Sequence, residues 1–319
     1  MLPASRLQHF PVAFFSMIMG LSGLSIAWDK AHTVLIPDLD LGAVLGLLTG
    51  IVFLALALAY AAKLMRFRTA VVAELHHPIK LNFYPTISIS LILLSIVSLE
   101  RAPALAQGLW LVGTGLHLVL TLYVMSVWIH HKHFRIEHMN PAWFIPVVGN
   151  ALVPITGCGL GFDELSWFFF SIGVVFWLVL MTIFFNRVFF HEPLPEKLMP
   201  TFFILIAPPA VAFLAYMKLQ HAELDVFARI LYYSGLFLTL LLLTQVGRFA
   251  RLNFSLSWWA YSFPLSAITV ATLVMAQVTG QPFFTGLGWV LLGLLSVVVA
   301  YLVLRTTRAV MVGKICQPE

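Results

Sequence analysis

The amino-acid sequence predicts an all-α integral membrane protein with ten transmembrane helices, forming a single domain over residues 1–319. Its composition is the first reason, because 61% of the residues are apolar, only 10% are charged and the mean hydropathy is +0.97. The second reason is that apolar runs of about 20 residues, each long enough to cross a bilayer as a helix, recur along the whole chain. Such runs are too long for the strands of a membrane barrel, which leaves helices as the spanning structure.

The apolar runs define the ten spans in order. The first run follows Pro11 and reaches Trp28 and Asp29 without a small-residue cleavage site, so it is interpreted as a span and not as a removed signal peptide. The later runs are separated by short segments that carry most of the charged residues, which we take as loops. The expected spans are 9–28, 41–65, 82–99, 104–130, 141–160, 165–190, 199–218, 226–250, 256–277 and 283–306.

The basic residues are distributed unevenly between the two sets of loops. If the amino terminus lies in the cytoplasm, the cytoplasmic segments hold 14 of the 18 lysines and arginines. The opposite loops hold only Lys30, Arg101, Lys218 and Arg229, together with eight acidic residues. Loops rich in lysine and arginine stay on the cytoplasmic side, so both termini are expected there. This topology also explains the net charge of +5, which therefore does not indicate nucleic-acid binding.

Proline separates the odd-numbered spans from the even-numbered ones. Inside a helix it removes a hydrogen-bond donor, which is tolerated in a membrane where neighbouring helices or a water-filled cavity satisfy the backbone. The odd spans start roughly 57 to 73 residues apart, which favours one helical hairpin repeated five times. We therefore expect kinked odd helices in an inner pore ring and straight even helices outside it; a chance distribution of prolines is the alternative. The prolines concerned are Pro11, Pro85, Pro146, Pro154, Pro208, Pro209 and Pro264.

Ionisable residues inside the spans are scarce, which argues against an enzyme. No Asp, Glu, Lys or Arg lies between Arg251 and Arg305, and elsewhere His117 is the one ionisable residue well inside a span. A haem held between helices needs paired axial histidines, which one histidine cannot supply. The run Gly20-Leu21-Ser22-Gly23 matches intramembrane serine proteases, but residues so common match easily. We expect no enzyme activity, cofactor or metal, and interpret His117 as a hydrogen-bonded packing residue.

The ninth span places a bulky ring directly before a proline. Residues 258–267 read Trp-Trp-Ala-Tyr-Ser-Phe-Pro-Leu-Ser-Ala, so Phe263 precedes Pro264. The residue before a proline is pushed away from helical geometry, which would aim the Phe263 ring into the lumen. An apolar ring in a narrow pore is a barrier, because an ion must lose water there and receives little in return. Ordinary packing is the alternative, since the chain contains 27 phenylalanines.

At these segments the chain resembles the tellurite-resistance protein A (TehA) and dicarboxylate transporter family, to which the plant guard-cell slow anion channels also belong. The resemblance extends over the whole chain, and the first span, from Phe10 to Trp28, looks like the family's opening helix. The segments that carry it are Trp258–Pro264, Glu74–Pro78 before the third span, Pro141 with Pro146 and Asn150 in the fifth, and Ala207–Ala210 in the seventh.

The resemblance implies a homotrimer in the inner membrane of a bacterium, in which each protomer has its own pore, blocked at mid-depth by a phenylalanine that corresponds to Phe263. The family's close-approach position on the first helix is a glycine in some relatives and falls on Ser16 here, so Phe263 is expected to be wedged differently. Gly42 and Gly46 would permit close contacts between protomers. The candidate pore-lining or kink residues are Ser16, Pro85, Ser88, Pro146, Asn150, Pro208, Ala210, Pro264 and Ser266.

These expectations favour a gated channel for small monovalent anions, such as chloride and nitrate. The dipoles of kinked helices and a basic inner mouth would attract anions weakly enough for them to leave again. The alternative is a secondary carrier that exports tellurite or C4-dicarboxylates, with or without proton coupling, because the family includes such members. Proton coupling needs a titratable group in the path, and a dicarboxylate site needs a basic side chain at each carboxylate. Neither is evident in the inner spans.

Overall fold

The computed structural model describes residues 6–130 and 134–317, and this part of the chain contains no β-strand. Ten of its helices are long and apolar enough to cross a membrane, which confirms the predicted fold class. Lys132, one of the basic residues counted for the orientation, lies outside the described residues. The ten helices are α1 Val12–Val34, α2 Leu41–Arg66, α3 Lys80–Ser98, α4 Pro103–His130, α5 Pro141–Leu160, α6 Asp163–Phe190, α7 Glu196–Leu219, α8 Val226–Leu243, α9 Leu256–Thr279 and α10 Pro282–Met311.

Two helix ends differ from the prediction by several residues. α1 continues past Trp28 to Val34, and the two charged residues that follow Trp28 have partners. Asp29 forms an ion pair with Arg101, and Lys30 donates a hydrogen bond to Gln277. α8 ends at Leu243 and not at residue 250, because the backbone leaves helical geometry at Gln245 before the short helix Val246–Phe249.

The odd-numbered helices lie inside the protein and the even-numbered helices lie outside. In each odd helix, 61% to 78% of an 18-residue apolar stretch is buried, compared with 17% to 44% in each even helix. Each odd helix contacts the even helix that follows it, which gives five hairpins. The odd helices also contact one another in a closed cycle: α1 with α3, α3 with α5, α5 with α7, α7 with α9, and α9 with α1.

The prolines of the odd helices mostly lie at the first α-helical turn, contrary to the expected internal kinks. Each odd helix opens with 3₁₀ turns that continue into an α-helix. Pro85, Pro146 and Pro208 occupy the first two residues of the α-helical part, and Pro264 occupies the third. The N–H groups of a first turn have no partner within the helix, so proline costs little there. Of the prolines predicted to kink odd helices, Pro154 alone lies in the interior of an α-helical part.

Gly42 and Gly46, expected at contacts between protomers, pack inside the chain instead. A Cβ built on Gly42 would lie 2.1 Å from Oδ1 of Asp29, and one on Gly46 would lie 2.4 Å from Cγ1 of Val97. Both glycines therefore let α2 approach α1 and α3. The outward side of α2 carries exposed leucines, among them Leu58 with 71% of its surface accessible.

Candidate functional site

A cavity of about 270 Å³ lies among the five odd helices, at the end where they begin. Each odd helix contributes to its wall: α1, α7 and α9 through their opening 3₁₀ turns and the residues that follow, α3 through its opening 3₁₀ turn, and α5 through its first α-helical residues. The wall includes Ser16 of α1, Phe83 of α3, Val148 of α5, Thr201 of α7 and Phe263 of α9. The cavity is therefore a product of the cyclic arrangement and not of any single hairpin.

The two ends of this cavity differ in polarity. Its lining includes three charged residues, Glu74, Lys80 and Lys197, which precede or open α3 and α7; we call these three residues the mouth. No other charged side chain among the described residues lines it. Nor do three His, Cys, Asp or Glu side chains come together in the described residues to hold a metal ion. On each odd helix, the lining residue farthest from the start of the helix is apolar. These residues are Met19, Phe83, Val148, Ala207 and Pro264, and Phe263 lies beside Pro264.

Phe263 lies at the apolar end of the cavity, and 6% of its surface is accessible. It faces α1, because a Cβ built on Gly23 would lie 3.7 Å from Cδ2 of Phe263. The prediction that Pro264 displaces Phe263 from helical geometry is wrong, because residue 263 belongs to the regular α-helix Ser262–Thr279. The ring points into the cavity because of its position around the helix.

Two other predicted residues also line the cavity. Ser16 lies on its wall and donates from Oγ to the carbonyl oxygen of Ala13 at 2.6 Å, and Pro264 closes the wall beside Phe263. The Ser16 oxygen is therefore an acceptor toward the cavity, since its proton is engaged within the helix.

Ser88 and Asn150 belong to a buried hydrogen-bond network that joins α3, α4 and α5 through His117. His117 Nε2 lies 3.0 Å from the carbonyl oxygen of Pro146, and Nδ1 lies 2.9 Å from Oγ of Ser88. A carbonyl only accepts, so Nε2 donates to Pro146, and in the neutral imidazole Nδ1 accepts from Ser88. Asn150 and Thr121 donate to the same Pro146 oxygen at 2.7 and 3.1 Å. The expected packing role of His117 is confirmed.

Ala210 and Ser266 lie at other contacts between helices. A Cβ built on Gly235 of α8 would lie 3.6 Å from Cβ of Ala210, so Ala210 faces the outer layer. Ser266 donates to the carbonyl oxygen of Phe263 at 2.7 Å and lies against Gly23 of α1. A pore-lining role for residues beyond the apolar end stays a prediction. The predicted residues that do not border the cavity are Pro85, Ser88, Pro146, Asn150, Pro208, Ala210 and Ser266.

The sequence predicts a basic inner mouth but does not identify the residues that form it. Lys80 and Lys197 were assigned to cytoplasmic loops, yet they open α3 and α7 and border the cavity. Glu74 lies on the short helix Arg68–Leu75, which no apolar run predicts. The two lysines had a signal in the sequence, because each directly precedes a predicted odd span. Nothing in the sequence indicated that the Glu74 side chain borders the cavity.

Glu74 is part of a buried ion pair. Its Oε2 lies 2.9 Å from Nζ of Lys63, the one lysine of α2, and accepts a hydrogen bond from Oη of Tyr60 at 3.0 Å. Lys63 also donates to the carbonyl oxygen of Phe10 at 2.8 Å. Lys63 itself is 1% exposed and does not border the cavity. The pair ties the start of α1 to the end of α2 beside the mouth.

A second charge cluster lies at the opposite end of α1. Arg101 Nη2 lies 2.7 Å from Oδ1 of Asp29 and 2.9 Å from Oδ1 of Asp40, which caps α2 by accepting from the N–H of Ala43. The hydrogen bond from Ala43 and the guanidinium of Arg101 lower the pKa of Asp40. This cluster joins an inner helix to an outer one and does not reach the cavity.

Comparison with known proteins identifies relatives of this architecture. Residues 9–307 match the sequence model of the SLAC1 family, described as voltage-dependent anion channel. The S-type anion channel SLAH2 of Arabidopsis thaliana is 33% identical over 283 residues, which cover 86% of this chain and 54% of the plant protein. The S-type anion channel SLAH3 of the same plant is 31% identical over 309 residues, covering 94% and 48% of the two chains.

A bacterial relative matches over a larger share of its own length. The tellurite resistance protein TehA homolog of Haemophilus influenzae is 27% identical over 260 residues, which cover 81% of this chain and 79% of that protein. The chain thus spans about half the length of the plant relatives and most of the bacterial one. These matches confirm the family resemblance found in the sequence.

Proposed function

This chain belongs to the SLAC1 family of voltage-dependent anion channels, and from that premise we propose that it is a gated channel for small monovalent anions such as chloride and nitrate. Its plant relatives are S-type anion channels by name, and the bacterial relative is a tellurite resistance protein by name. The observation that carries the proposal is the cavity among the five odd helices, with its charged mouth and its apolar end at Phe263.

The electrostatics of the cavity favour anions over cations. All five odd helices begin around it, and the start of a helix carries a partial positive charge from its unpaired N–H groups. Lys80 and Lys197 add full charges at the mouth. Farther in, the described lining carries no lysine or arginine that would hold an anion tightly. An anion would therefore be drawn in and still be able to leave.

In this proposal Phe263 is the gate. An ion that passes the ring gives up water while the surrounding side chains, such as Met19, Val148 and Ala207, offer it no hydrogen bond. The ring is a barrier in its present position and would open the path by moving. The ring contacts Gly23 of α1, so the packing of α9 on α1 holds the ring in place.

A secondary carrier for tellurite or C4-dicarboxylates is the second candidate. Two observations favour it: the TehA homolog is a tellurite resistance protein by name, and Glu74 supplies the titratable group at the cavity that a proton-coupled carrier needs. The lysines of the mouth, Lys80 and Lys197, would meet the carboxylates. This candidate predicts saturable flux that depends on the proton gradient, whereas a channel passes current in proportion to the electrical driving force.

We place the protein in the inner membrane of a bacterium as a homotrimer with both termini in the cytoplasm, so that the mouth opens to the cytoplasm. The orientation is supported by the excess of basic residues in the segments beside the mouth, including Lys80 and Lys197. The exposed apolar side chains of the even helices, such as Leu58, give the surface that lipid and neighbouring protomers would cover. The trimer is supported by the family resemblance.

Anion current through the purified protein in a planar bilayer tests the gate. Phe263→Ala should raise chloride and nitrate current at least about tenfold over the wild type, because a rate rises tenfold when its barrier falls by only about 1.4 kcal/mol. Phe213→Ala is the matched control, since Phe213 is fully buried on α7 against Tyr232 and does not border the cavity. It should leave the current at the wild-type level.

Three outcomes would count against the gated channel. Cation-selective current through Phe263→Ala would contradict the anion pathway. Equal gains in Phe263→Ala and Phe213→Ala would show that any core truncation makes the protein leaky. Silent variants, together with saturable, pH-dependent uptake of tellurite or succinate into wild-type proteoliposomes, would establish the carrier.

A further inference from the structure

The mouth of the cavity contains an acidic residue on a path assigned to anions. Glu74 is the one carboxylate among the described residues that line the cavity, beside Lys80 and Lys197. A carboxylate at this place repels an incoming anion unless its charge is compensated. Glu74 therefore requires an explanation that neither helix packing nor the gate supplies.

The compensation comes from a lysine that the cavity does not reach. Nζ of Lys63 lies 2.9 Å from Oε2 of Glu74, and the side chains are 1% and 10% exposed. Lys63 is not part of the lining, so the acid faces the cavity and the base lies behind it. The carbonyl oxygen of Phe10 accepts a second hydrogen bond from Nζ at 2.8 Å, and Tyr60 donates to the carboxylate. These contacts hold both charges in place.

We propose that Lys63 and Glu74 form a charge-compensating pair that sets the electrostatic potential of the mouth and thereby the rate at which anions enter. With the pair intact, its net charge is zero, so the pair itself neither attracts nor repels an anion. Loss of Glu74 leaves the charge of Lys63 uncompensated, and loss of Lys63 exposes that of Glu74. This inference rests on the proposed anion pathway and assigns its rate of anion entry to two residues outside the gate.

The two single substitutions should change the anion current in opposite directions. A unit charge that acts across about 8 Å of water, the Debye length at physiological ionic strength, changes the local concentration of a monovalent anion about twofold. In the conducting Phe263→Ala protein, Glu74→Gln should therefore raise chloride current about twofold and Lys63→Met should lower it about twofold. The double variant Lys63→Met with Glu74→Gln should return to the parent value, because the net charge is again zero.

Two further readouts separate charge from structure. The effect should be larger for anions that enter from the side of the mouth, and it should shrink in 1 M salt, where the Debye length is about 3 Å. Arg68→Gln is the matched control, because Arg68 lies exposed on the same short helix as Glu74 and does not line the cavity. It removes one positive charge and should change the current much less than Lys63→Met does.

The outcomes distinguish this inference from the proposed function. If the Phe263→Ala parent carries no anion current, the anion pathway is wrong and the inference falls with it. If the parent conducts but both single variants change the current in the same direction, or neither does, or Arg68→Gln matches Lys63→Met, the charge-compensating role is wrong and the pathway stands. Opposite changes that cancel in the double variant and fade at high salt establish it.

Discussion

The inner and outer helices differ in burial and in hydropathy, and the two differences run in opposite directions. The odd helices are the more buried set, yet their mean hydropathy is 1.4 to 2.0, compared with 1.7 to 2.5 for the even helices. In a soluble protein the buried residues are mainly the apolar ones. A membrane changes this, because an outer helix meets hydrocarbon over much of its surface, whereas an inner helix meets other helices and a cavity.

The inner helices use this environment to hold small polar side chains at close contacts. Ser262, Ser266, Thr269 and Thr272 of α9 are buried, and each hydroxyl donates to a carbonyl three or four residues earlier in the same helix. Such hydroxyls need no partner from a neighbouring helix, so the neighbour can come close. The comparison shows that close contacts, and not greater apolarity, position α9 and therefore Phe263.

The largest effect on stability is expected when a glycine of the inner layer is replaced by alanine, compared with the same substitution in the outer layer. A Cβ on Gly149 of α5 would lie 2.1 Å from Cε1 of His117, whose ring is held by hydrogen bonds on both nitrogens. Gly149→Ala should therefore lower the free energy of unfolding by about 3 kcal/mol, at the upper end for overpacked cores. Thermal melting of the detergent-solubilised protein, read by size-exclusion chromatography, measures the loss.

Gly115 of α4 supplies the control for this substitution. It lies two residues from His117 along the chain, yet a Cβ there would meet nothing within 4 Å. Gly115→Ala should leave the free energy of unfolding unchanged or raise it by up to about 1 kcal/mol, because alanine favours helix more than glycine does. Equal losses at the two positions would mean that the layers are not packed differently.

A smaller effect is expected where two inner helices meet. A Cβ on Gly23 of α1 would lie 2.1 Å from Oγ of Ser266, so Gly23→Ala should lower the free energy of unfolding by about 2 kcal/mol. Adding Ser266→Gly removes the clashing atoms and should recover most of this loss. The melting temperatures of the single and double variants give the answer, and a double variant no more stable than Gly23→Ala would rule out this contact as the cause.

The smallest effect concerns the junction between an inner and an outer helix. The pKa of Asp40 is lowered by the N–H of Ala43 and by Arg101, so the ionised carboxylate stabilises the folded state. This contribution is complete above the unfolded pKa of about 3.9 and is lost as the pH falls through the lower folded value. The melting temperature of the wild type should therefore exceed that of Asp40→Asn at pH 7, and the gap should narrow below about pH 4.

The control for this pH dependence is Asp38→Asn. Asp38 lies two residues earlier in the same loop and forms no ion pair with Arg101. Its substitution should leave the gap between wild type and variant small at every pH. A gap for Asp40→Asn that stays constant down to pH 3 would show that the carboxylate does not act through its charge.

The predicted helices were correct wherever the deciding information was local. An apolar run either is or is not long enough to cross the bilayer, so ten spans and their pairing into hairpins could be read from the chain. The end of α1 could not, because Asp29 and Lys30 have partners, Arg101 and Gln277, that are distant in sequence. The prolines marked the odd helices correctly, but their place at the first α-helical turn depends on 3₁₀ turns that hydropathy does not reveal.

The sequence by itself thus determined the fold class, the division into odd and even helices, the family and the choice of Phe263 as a candidate gate. The tertiary structure decided which residues meet the cavity, where it brought Glu74, Lys80 and Lys197 together and placed Ser88 and Asn150 at helix contacts. The physical reason is that a membrane helix is apolar on nearly every side. Without a polar face to mark the side that meets water, the direction of each side chain is set by the neighbouring helices.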